Sequence, residues 1–397
     1  MNIEYKSITW DDFVSVKTTT ARAFHEYRED IDLRAHKNIF DPDRSIIAYE
    51  GDYMVGGSVS YPLDMYIPGG LCSIAAVAGV AVQPTHRRRG INTEIMKLQL
   101  ENIHSRGEPL AVLQASESVI YGRYGYGMAS FEHNLEIEKN HSTYTEEHIA
   151  RGSLYYCKED EARQICPDIF DRATLNRVGM VTRNDKWWNF RSLEPGTKGG
   201  DSRTWYVRYE NDGVNEGYVR YQVKGDVLII IELISVTQDA YKTLWRFCLD
   251  MDLIRTIKAN HRPVDEELKW LIADPRRLIE HTSDRSWLRL VNVEQALSLR
   301  KYPVNDSVVL DIKDRFLPWN SSRLELSSYQ NETQCKPSTK APDISLGVSE
   351  LGAAYLGAVD FSTLARAGRV EELKPGGIQR INAMFVTDRK PWCFDGW

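Results

Sequence analysis

The sequence predicts a mixed α/β (α+β) protein of two or three domains. Its 397 residues are too many for one ordinary hydrophobic core. Between Ala76 and Ile103, an apolar stretch of strand length leads through an arginine-rich turn into a helical pattern. Between Gly217 and Leu249, a hairpin, an apolar strand and a helix follow in a similar order. Strands and helices that alternate in this way are typical of α/β domains.

The composition excludes several classes of protein. Hydrophobic residues make up 42% and charged residues 27% of the chain, as in ordinary folded proteins. No apolar run approaches the length of a membrane span and the first residues lack a signal-peptide pattern, which predicts a cytoplasmic protein with no membrane partner. The six cysteines form no C-x-x-C pair, so neither disulfides nor a metal site is expected. The net charge of −6 disfavours nucleic acid and favours a cationic small-molecule partner.

The arginine-rich turn is a predicted phosphate site. Arg87, Arg88 and Arg89 precede Gly90 between the strand and the helix. The first N–H groups of a helix have no partner within it, and the helix dipole and the arginines together favour an anion there. The stretch has no G-x-x-x-x-G-K-[ST] and no G-x-G-x-x-G, so it is neither a P-loop nor a dinucleotide fingerprint. The plainer alternative is a solvated basic turn.

The segment from Arg87 to Asn92 resembles the coenzyme-A-binding motif [QR]-x-x-G-x-[GA] of the GNAT superfamily of acyl-CoA N-acyltransferases, except that Asn92 stands where a small residue is expected. Downstream, the string A-S-E-S-V-I-Y-G-R-Y-G-Y-G ends at Gly127. Together with T-H-R-R-R-G it resembles the Eis (enhanced intracellular survival) branch, whose members acetylate aminoglycosides and other amines. The resemblance implies acetyl-CoA as the co-substrate and a hexameric assembly.

The resemblance also implies which residues bind the cofactor. The backbone of Val80 and Val82 would pair with the pantetheine arm where the central strand separates from its neighbour. Residues 88–93 would hold the pyrophosphate, and Ser116 and Glu117 would contact the cofactor again. The full predicted set is Val80, Ala81, Val82, Arg87, Arg88, Arg89, Gly90, Ile91, Asn92, Thr93, Ser116 and Glu117.

Acetyl transfer to an amine needs an acceptor for the amine's proton and a donor for the departing thiolate. Tyr121 matches the tyrosine that serves as general acid in GNAT enzymes, although it is one of 20 tyrosines and could be a packed core residue. In the Eis branch the C-terminal carboxylate serves as base, which assigns that task to Trp397. The alternative for Trp397 is a frayed chain end.

Three domains are expected: 1–143 as the catalytic GNAT domain, 144–286 as a degenerate GNAT-like domain, and 287–397 as a domain that resembles sterol carrier proteins. The middle domain lacks a glycine and an arginine cluster at the turn after Leu233, which predicts loss of cofactor binding. A strand at 287–291 is expected to open the last domain. The sequence leaves two questions open. Trp187 and Trp188 either belong to the core or line the acceptor pocket. A group of acidic residues either binds a polycation or forms a solvated face: Glu26, Glu29, Asp30 and Asp32.

The function predicted from these observations is acetyl-CoA-dependent acetyl transfer to an aminoglycoside or polyamine by direct attack of the amine. One alternative is a protein lysine acetyltransferase, which differs in its acceptor. The other is a non-catalytic protein that binds a lipid or small molecule through its last domain.

Overall fold

The computed structural model describes residues 3–25, 38–192, 203–330 and 332–397. The acidic segment with Glu26, Glu29, Asp30 and Asp32 lies outside these described residues. The chain forms two compact units, which we call the first unit (1–130, 284–391 and 395–397) and the second unit (131–283 and 392–394). Across the described ranges, every helix is too short or too polar to cross a membrane.

Along the chain, runs of strands are separated by helices. The strands are β1 Ile3–Lys6, β2 Ser45–Glu50, β3 Tyr53–Ile67, β4 Gly70–Val82, β5 Leu110–Leu113, β6 Gly127–Met128, β7 Phe131–Glu138, β8 Ser153–Cys157, β9 Trp205–Asn211, β10 Val214–Lys224, β11 Val227–Ser235, β12 Thr256–Pro263, β13 Ile279–Asp284, β14 Trp287–Leu290, β15 Asp306–Lys313, β16 Ser322–Tyr329, β17 Glu332–Pro337, β18 Ile344–Gly347 and β19 Val370–Glu372. The helices are α1 Phe13–Phe24, α2 Ile91–Ser105, α3 Ser118–Tyr121, α4 Glu159–Thr174, α5 Asp185–Trp187, α6 Gln238–Asp250, α7 Val293–Leu299, α8 Val348–Tyr355, α9 Phe361–Arg366 and α10 Gly377–Phe385.

The first unit contains a seven-stranded sheet in the order β1-β2-β3-β4-β5-β14-β6. The pairing of β4 with β5 is parallel, and the other pairings are antiparallel. Helix α2 places Ile91 and Ile95 against Ala48 and Val55 of the sheet, where all four side chains are buried. This packing fixes the start of α2 beside the end of β4.

The second unit contains a seven-stranded sheet with the same arrangement, in the order β8-β9-β10-β11-β12-β7-β13. In both sheets the sixth position is filled by a strand from elsewhere in the chain. Strand β7 follows β6 in sequence but pairs with β12, and β14 follows β13 but pairs with β5 and β6. The two sheets therefore exchange equivalent strands.

Because of this exchange, the two units divide after residue 130 and before residue 284, whereas the expected domain boundaries were at 143 and 286. Residues 131–138 were expected in the first domain and lie in the second sheet, and the strand from Trp287 was expected to open the last domain and lies in the first sheet. The physical reason is that alternation along a strand reports burial of its faces but does not identify its partner strands. The buried pattern of both segments is compatible with either sheet.

A five-stranded sheet in the order β17-β16-β15-β18-β19 belongs to the first unit. Strands β15 and β16 are antiparallel neighbours, with Asp306 opposite Ser328 and Ile312 opposite Ser322. The fully buried Arg300 donates hydrogen bonds to the carbonyls of Tyr355, Met384 and Phe385 at the ends of α8 and α10. The last carbonyls of a helix have no N–H donor within the helix, and Arg300 supplies donors for these three.

Trp187 and Trp188 are core residues of the second unit. Both are nearly fully buried. The ring of Trp188 packs edge-on against Phe170 at 5.5 Å, and the guanidinium of Arg183 lies 4.7 Å from the Trp188 ring centre. This packing answers the question that the sequence left open for these two residues.

Candidate active site

Strands β4 and β5 separate at one end and leave an opening in the first sheet. Their parallel pairing covers only Ile74 to Ala76, opposite Leu110 to Val112, although β4 continues to Val82. A bulge at Gly79, whose φ is 60°, shifts the register of β4 against β3 and bends β4 at this point. Carbonyl and N–H groups of β4 beyond Ala76 thus face a gap, where an extended ligand can pair with them like a strand.

The turn after β4 has the backbone geometry of an anion site. Arg88 and Gly90 both adopt left-handed conformations, with φ of 65° and 80°, and α2 begins at Ile91. A left-handed turn just before a helix directs successive N–H groups toward one point. For Arg88 this conformation carries strain, which a functional turn can retain.

The three arginines of the turn have different surroundings. The Arg87 Nη2 atom donates to the carbonyl of Ala23 at 3.1 Å. The Arg89 Nη2 atom lies 2.6 Å from Glu50 Oε1, and His86 Nε2 lies 3.1 Å from Glu50 Oε2. Hydrogen bonds from Arg89 and then His86 lower the pKa of the Glu50 carboxyl. Arg88 forms no ion pair with any residue that the structure describes, so its charge is available to an anion.

A cleft of about 240 Å³ lies between this turn and the segment that follows β5. Its lining comprises Val82, His86, Arg87, Arg88, Gly90, Ile91, Asn92, Thr93, Ile120, Arg123 and Tyr124. Asn92 Nδ2 donates to the Tyr124 hydroxyl at 3.1 Å, and Thr93 Oγ1 lies 3.5 Å from the same oxygen. Asn92, the residue that departs from the motif, therefore connects the turn to the tyrosine-rich segment by a hydrogen bond.

Other residues of the predicted cofactor set lie around the opening and the cleft. Val80 and Val82 are half-buried on β4, and the buried Ala81 pairs with Gly57 of β3. Ser116 and Glu117 are exposed just before α3, and Glu117 occupies the position that precedes this helix. Of the predicted set, Val82, Arg87, Arg88, Gly90, Ile91, Asn92 and Thr93 line the cleft.

Tyr121 is a buried tyrosine at the end of α3, with 4% of its surface exposed. It packs in a cluster that includes Val77 of β4 and Leu113 of β5. Burial raises the pKa of its hydroxyl, and a hydrogen bond with Ser116 opposes this rise in part. The side chain therefore keeps its proton at neutral pH, which suits a proton donor.

The C-terminal residues lie at the same opening. The indole Nε1 of Trp397 donates to the carbonyl of Val77 at 2.9 Å, just beyond the paired part of β4 and β5. The carbonyl of Asp395 accepts from Gln114 Nε2 at 2.5 Å and from Arg285 Nη2 at 3.0 Å. The chain end is therefore bound in the first unit and is not frayed.

Sequence reasoning missed Gln114 and Arg285. Gln114 lies inside the A-V-L-Q-A-S-E segment that carries the resemblance, so its position at the end of β5 was an available signal. Arg285 had no such signal, because it reaches this site through the exchanged strand β14.

The second sheet has an equivalent opening, but side chains occupy it. Strands β11 and β12 pair only from Val227 to Ile230. Beyond that point, Arg262 Nη1 donates to the Leu233 carbonyl at 2.8 Å, and its Nε lies 2.6 Å from Glu266. At the start of α6, the Thr237 hydroxyl accepts from the backbone of Ala240, so the helix caps itself. This geometry leaves the second sheet without an anion site at that helix.

A strand opening, a turn with two left-handed residues at a helix start and a buried tyrosine are the features expected of an acyl-CoA N-acyltransferase of the GNAT class. Residues 4–129 and 179–290 each match an acetyltransferase (GNAT) domain family, and residues 293–394 match a sterol carrier protein domain family. The chain belongs to the Eis-type family of GNAT N-acetyltransferases, and it is an acetyltransferase.

Known relatives span the whole chain. An uncharacterized N-acetyltransferase of Streptomyces avermitilis is 34% identical over 412 residues, with 100% of both chains covered. The N-acetyltransferase Eis of Mycobacterium tuberculosis is 29% identical over 406 residues, with 98% of both chains covered. The crystal structure of Eis1 from Mycobacterium abscessus superposes with a TM-score of 0.87 at 29% identity and covers 100% of both chains.

GNAT domains use acetyl-CoA, and the residues present fit it. The unpaired backbone of β4 can hold an extended amide-containing arm, and the turn at Arg88 and Gly90 can hold a pyrophosphate. These two features are adjacent, because the turn directly follows β4.

Proposed function

We propose that this protein transfers the acetyl group of acetyl-CoA directly to a primary amine of a cationic small molecule, of the aminoglycoside or polyamine class. Tyr121 is the proton donor and the terminal carboxylate of Trp397 is the proton acceptor. The observation that carries the proposal is the hydrogen bond between the Trp397 indole and the Val77 carbonyl, which holds the chain end at the opening of β4 and β5.

When bound, acetyl-CoA supplies a thioester from which the acetyl group can be transferred. The backbone of Val80 and Val82 would hold the pantetheine arm, and Arg88 with the first N–H groups of α2 would hold the pyrophosphate. Cys72 lies on β4 but is buried, and burial raises the pKa of its thiol to about 12. A protonated, buried thiol is a poor nucleophile, which favours direct transfer over an acyl-enzyme.

The proton transfers follow from ordinary pKa values. An alkylammonium with a pKa of about 10 is less than roughly a thousandth free base at pH 7, so the amine must lose a proton before attack. A carboxylate in the opening attracts the ammonium, orients it and accepts that proton. The thiol of coenzyme A has a pKa of about 8.5. The departing thiolate therefore takes a proton from the tyrosine hydroxyl to form this thiol.

The acceptor class follows from charge. The chain carries a net charge of −6, and a terminal carboxylate in the opening adds a local negative charge beside the reacting centre. Both features favour an acceptor with several ammonium groups over a neutral amine.

The test is release of free thiol from acetyl-CoA by the purified protein in the presence of aminoglycosides, polyamines and lysine peptides. We expect turnover with several aminoglycosides or polyamines. Turnover with peptides alone would replace the proposed acceptor class with protein lysines. Absence of turnover with every amine, in protein that binds acetyl-CoA by calorimetry, would contradict the proposed acceptor class.

A further inference from the structure

We propose that Gln114 and Arg285 are positioning residues that hold the chain end through the carbonyl of Asp395 and thereby fix the carboxylate of Trp397 in the opening. We use the name tail latch for three hydrogen bonds. Gln114 Nε2 and Arg285 Nη2 donate to the Asp395 carbonyl, and Trp397 Nε1 donates to the Val77 carbonyl. The inference rests on the proposed function, because the latch matters for catalysis only if the terminal carboxylate acts on the amine.

The latch forms at one edge of the first sheet. Strands β5 and β14 are antiparallel neighbours, and Leu113 pairs with Trp287. The residue after β5, Gln114, and the segment before β14, with Arg285, therefore reach the same edge. Their side chains approach the Asp395 carbonyl at 2.5 Å and 3.0 Å. A carbonyl has two lone pairs, so one acceptor can bind both donors.

The Asp395 carbonyl is buried, and this makes its hydrogen bonds with Gln114 and Arg285 important for holding the chain end. Asp395 is 5% exposed, so its carbonyl is shielded from water and depends on protein donors. Gly396 follows in close contact with Gln114, since a Cβ added at residue 396 would lie 2.8 Å from Gln114 Oε1. Any larger residue at 396 would have to displace Gln114 or the tail itself.

The third contact lies at the far end of the tail. The Trp397 indole binds the Val77 carbonyl, on the β4 side of the opening, whereas Gln114 follows β5 on the other side. The last three residues are thus bound at both margins of the gap. A carboxylate on Trp397 is held between two fixed points instead of on a free end.

The latch and the cofactor site use different atoms. The cofactor set uses the β4 backbone at Val80 and Val82 and the turn from Arg87 to Thr93, whereas the latch uses Val77, Gln114 and Arg285. Loss of the latch is therefore expected to lower kcat and leave acetyl-CoA affinity unchanged. A residue with a purely structural role would not give this separation.

The experiment compares Gln114→Ala and Gln114→Glu with wild type in the full-length protein. Glutamate keeps the shape of the side chain but has no N–H donor at neutral pH. The matched control is Gln295→Ala, an exposed glutamine of the first unit whose Nε2 donates to the Gly107 carbonyl at 3.4 Å. Three quantities are measured: kcat by thiol release, the acetyl-CoA Kd by calorimetry, and the rate at which carboxypeptidase A releases free tryptophan.

We expect both Gln114 variants to release tryptophan about tenfold faster and to have a kcat about tenfold lower, as the loss of one buried hydrogen bond predicts. The Kd for acetyl-CoA should stay within about twofold of wild type, and Gln295→Ala should match wild type in all three measurements. Wild-type tryptophan release in both Gln114 variants would overturn the latch.

Faster release of tryptophan with an unchanged kcat would establish the latch and overturn the catalytic role of the terminal carboxylate in the proposed function. Gly396→Ala provides a second variant that alters only the chain end, where folding of the sheets is unaffected. It should behave like the Gln114 variants, and wild-type values for both tryptophan release and kcat would also count against the latch.

Discussion

The proposed chemistry of Tyr121 depends on its burial. Its raised pKa follows from burial in the apolar cluster around it, and an interaction with Ser116 lowers the pKa in part. Among the three tyrosines of the motif Y-G-R-Y-G-Y-G, the family resemblance singles out Tyr121 as the proton donor. Tyr124 instead binds Asn92, and Tyr126 is fully buried with its ring centre 6.1 Å from that of Tyr121.

Tyr121→Phe should lower kcat about 100-fold and leave the KM for acetyl-CoA nearly unchanged, because the ring still fills its place and only the proton donor is lost. The folded pKa of Tyr121 lies above its ordinary value of 10.0, so the protonated, active form persists at neutral pH and is lost only as pH rises through that raised value. Steady-state thiol release at several pH values measures both effects. A variant with wild-type kcat would remove Tyr121 from the mechanism.

The separate surroundings of the arginines allow a second prediction. Arg88→Ala should raise the KM for acetyl-CoA about tenfold, because a charge-assisted contact to the pyrophosphate is lost. Arg89→Ala is the matched control and should change KM less than about threefold, because Arg89 is paired with Glu50 at an exposed site. Equal effects of the two changes, measured by thiol release at varied acetyl-CoA, would contradict this distinction.

Sequence alone could predict a phosphate-binding turn because its signal is local: arginines, a glycine and a helix start lie within a few residues of one another. The tail latch has no local signal, since Gln114 and Asp395 are 281 positions apart. The pairing of Arg89 with Glu50, 39 positions earlier, was hidden for the same reason. Contacts between distant residues depend on how the strands are ordered.

At the level of elements, the two seven-stranded sheets share one strand arrangement and differ at the helix start that follows the central strand. Both have a parallel strand pair that separates after a few residues. In the first sheet a turn with two left-handed residues follows, and in the second the helix start is capped by Thr237. The sequence predicts the absence of an anion site at the second turn, because a glycine and an arginine cluster are missing there. It did not predict that Arg262 would occupy the second opening.

One acetyl-CoA per chain is therefore expected. Isothermal titration calorimetry of the wild-type protein should give a stoichiometry of about one, because the Arg262 side chain and the capped helix leave no room for a second pyrophosphate. Arg88→Ala should weaken all acetyl-CoA binding that the titration detects, and no tight binding step should remain. A stoichiometry of two, or a tight phase that survives Arg88→Ala, would show that the second sheet also binds.

At the level of the whole molecule, the exchange of β7 and β14 means that neither GNAT sheet is built from one continuous segment. Hydrophobic periodicity predicted the strand before the arginine-rich turn and the hairpin and apolar strand after Gly217, which are confirmed in β4, β10 and β11. The choice of partner strands required the structure. The expected hexamer rests on the family resemblance and stays a prediction.

The exchange predicts which fragments fold. Residues 1–143 alone should be unfolded by near-ultraviolet circular dichroism, because β14 is missing between β5 and β6 and β7 has no partner. Residues 1–130 joined by a short glycine linker to 284–391 should fold and bind acetyl-CoA, since the N–H of Arg285 already bonds the Ser130 carbonyl at 2.9 Å. A folded 1–143 fragment that binds acetyl-CoA would contradict the exchange.

In the proposed mechanism, the terminal carboxylate of Trp397 accepts the proton of the amine. The most direct measurement is kcat for thiol release by a protein with one glycine added after Trp397, with the best acceptor amine and saturating acetyl-CoA. The added residue moves the carboxylate by about 3.5 Å while the indole and the latch can stay in place. We predict a fall in kcat of at least about 100-fold with an unchanged acetyl-CoA Kd. An unchanged kcat would contradict the claim.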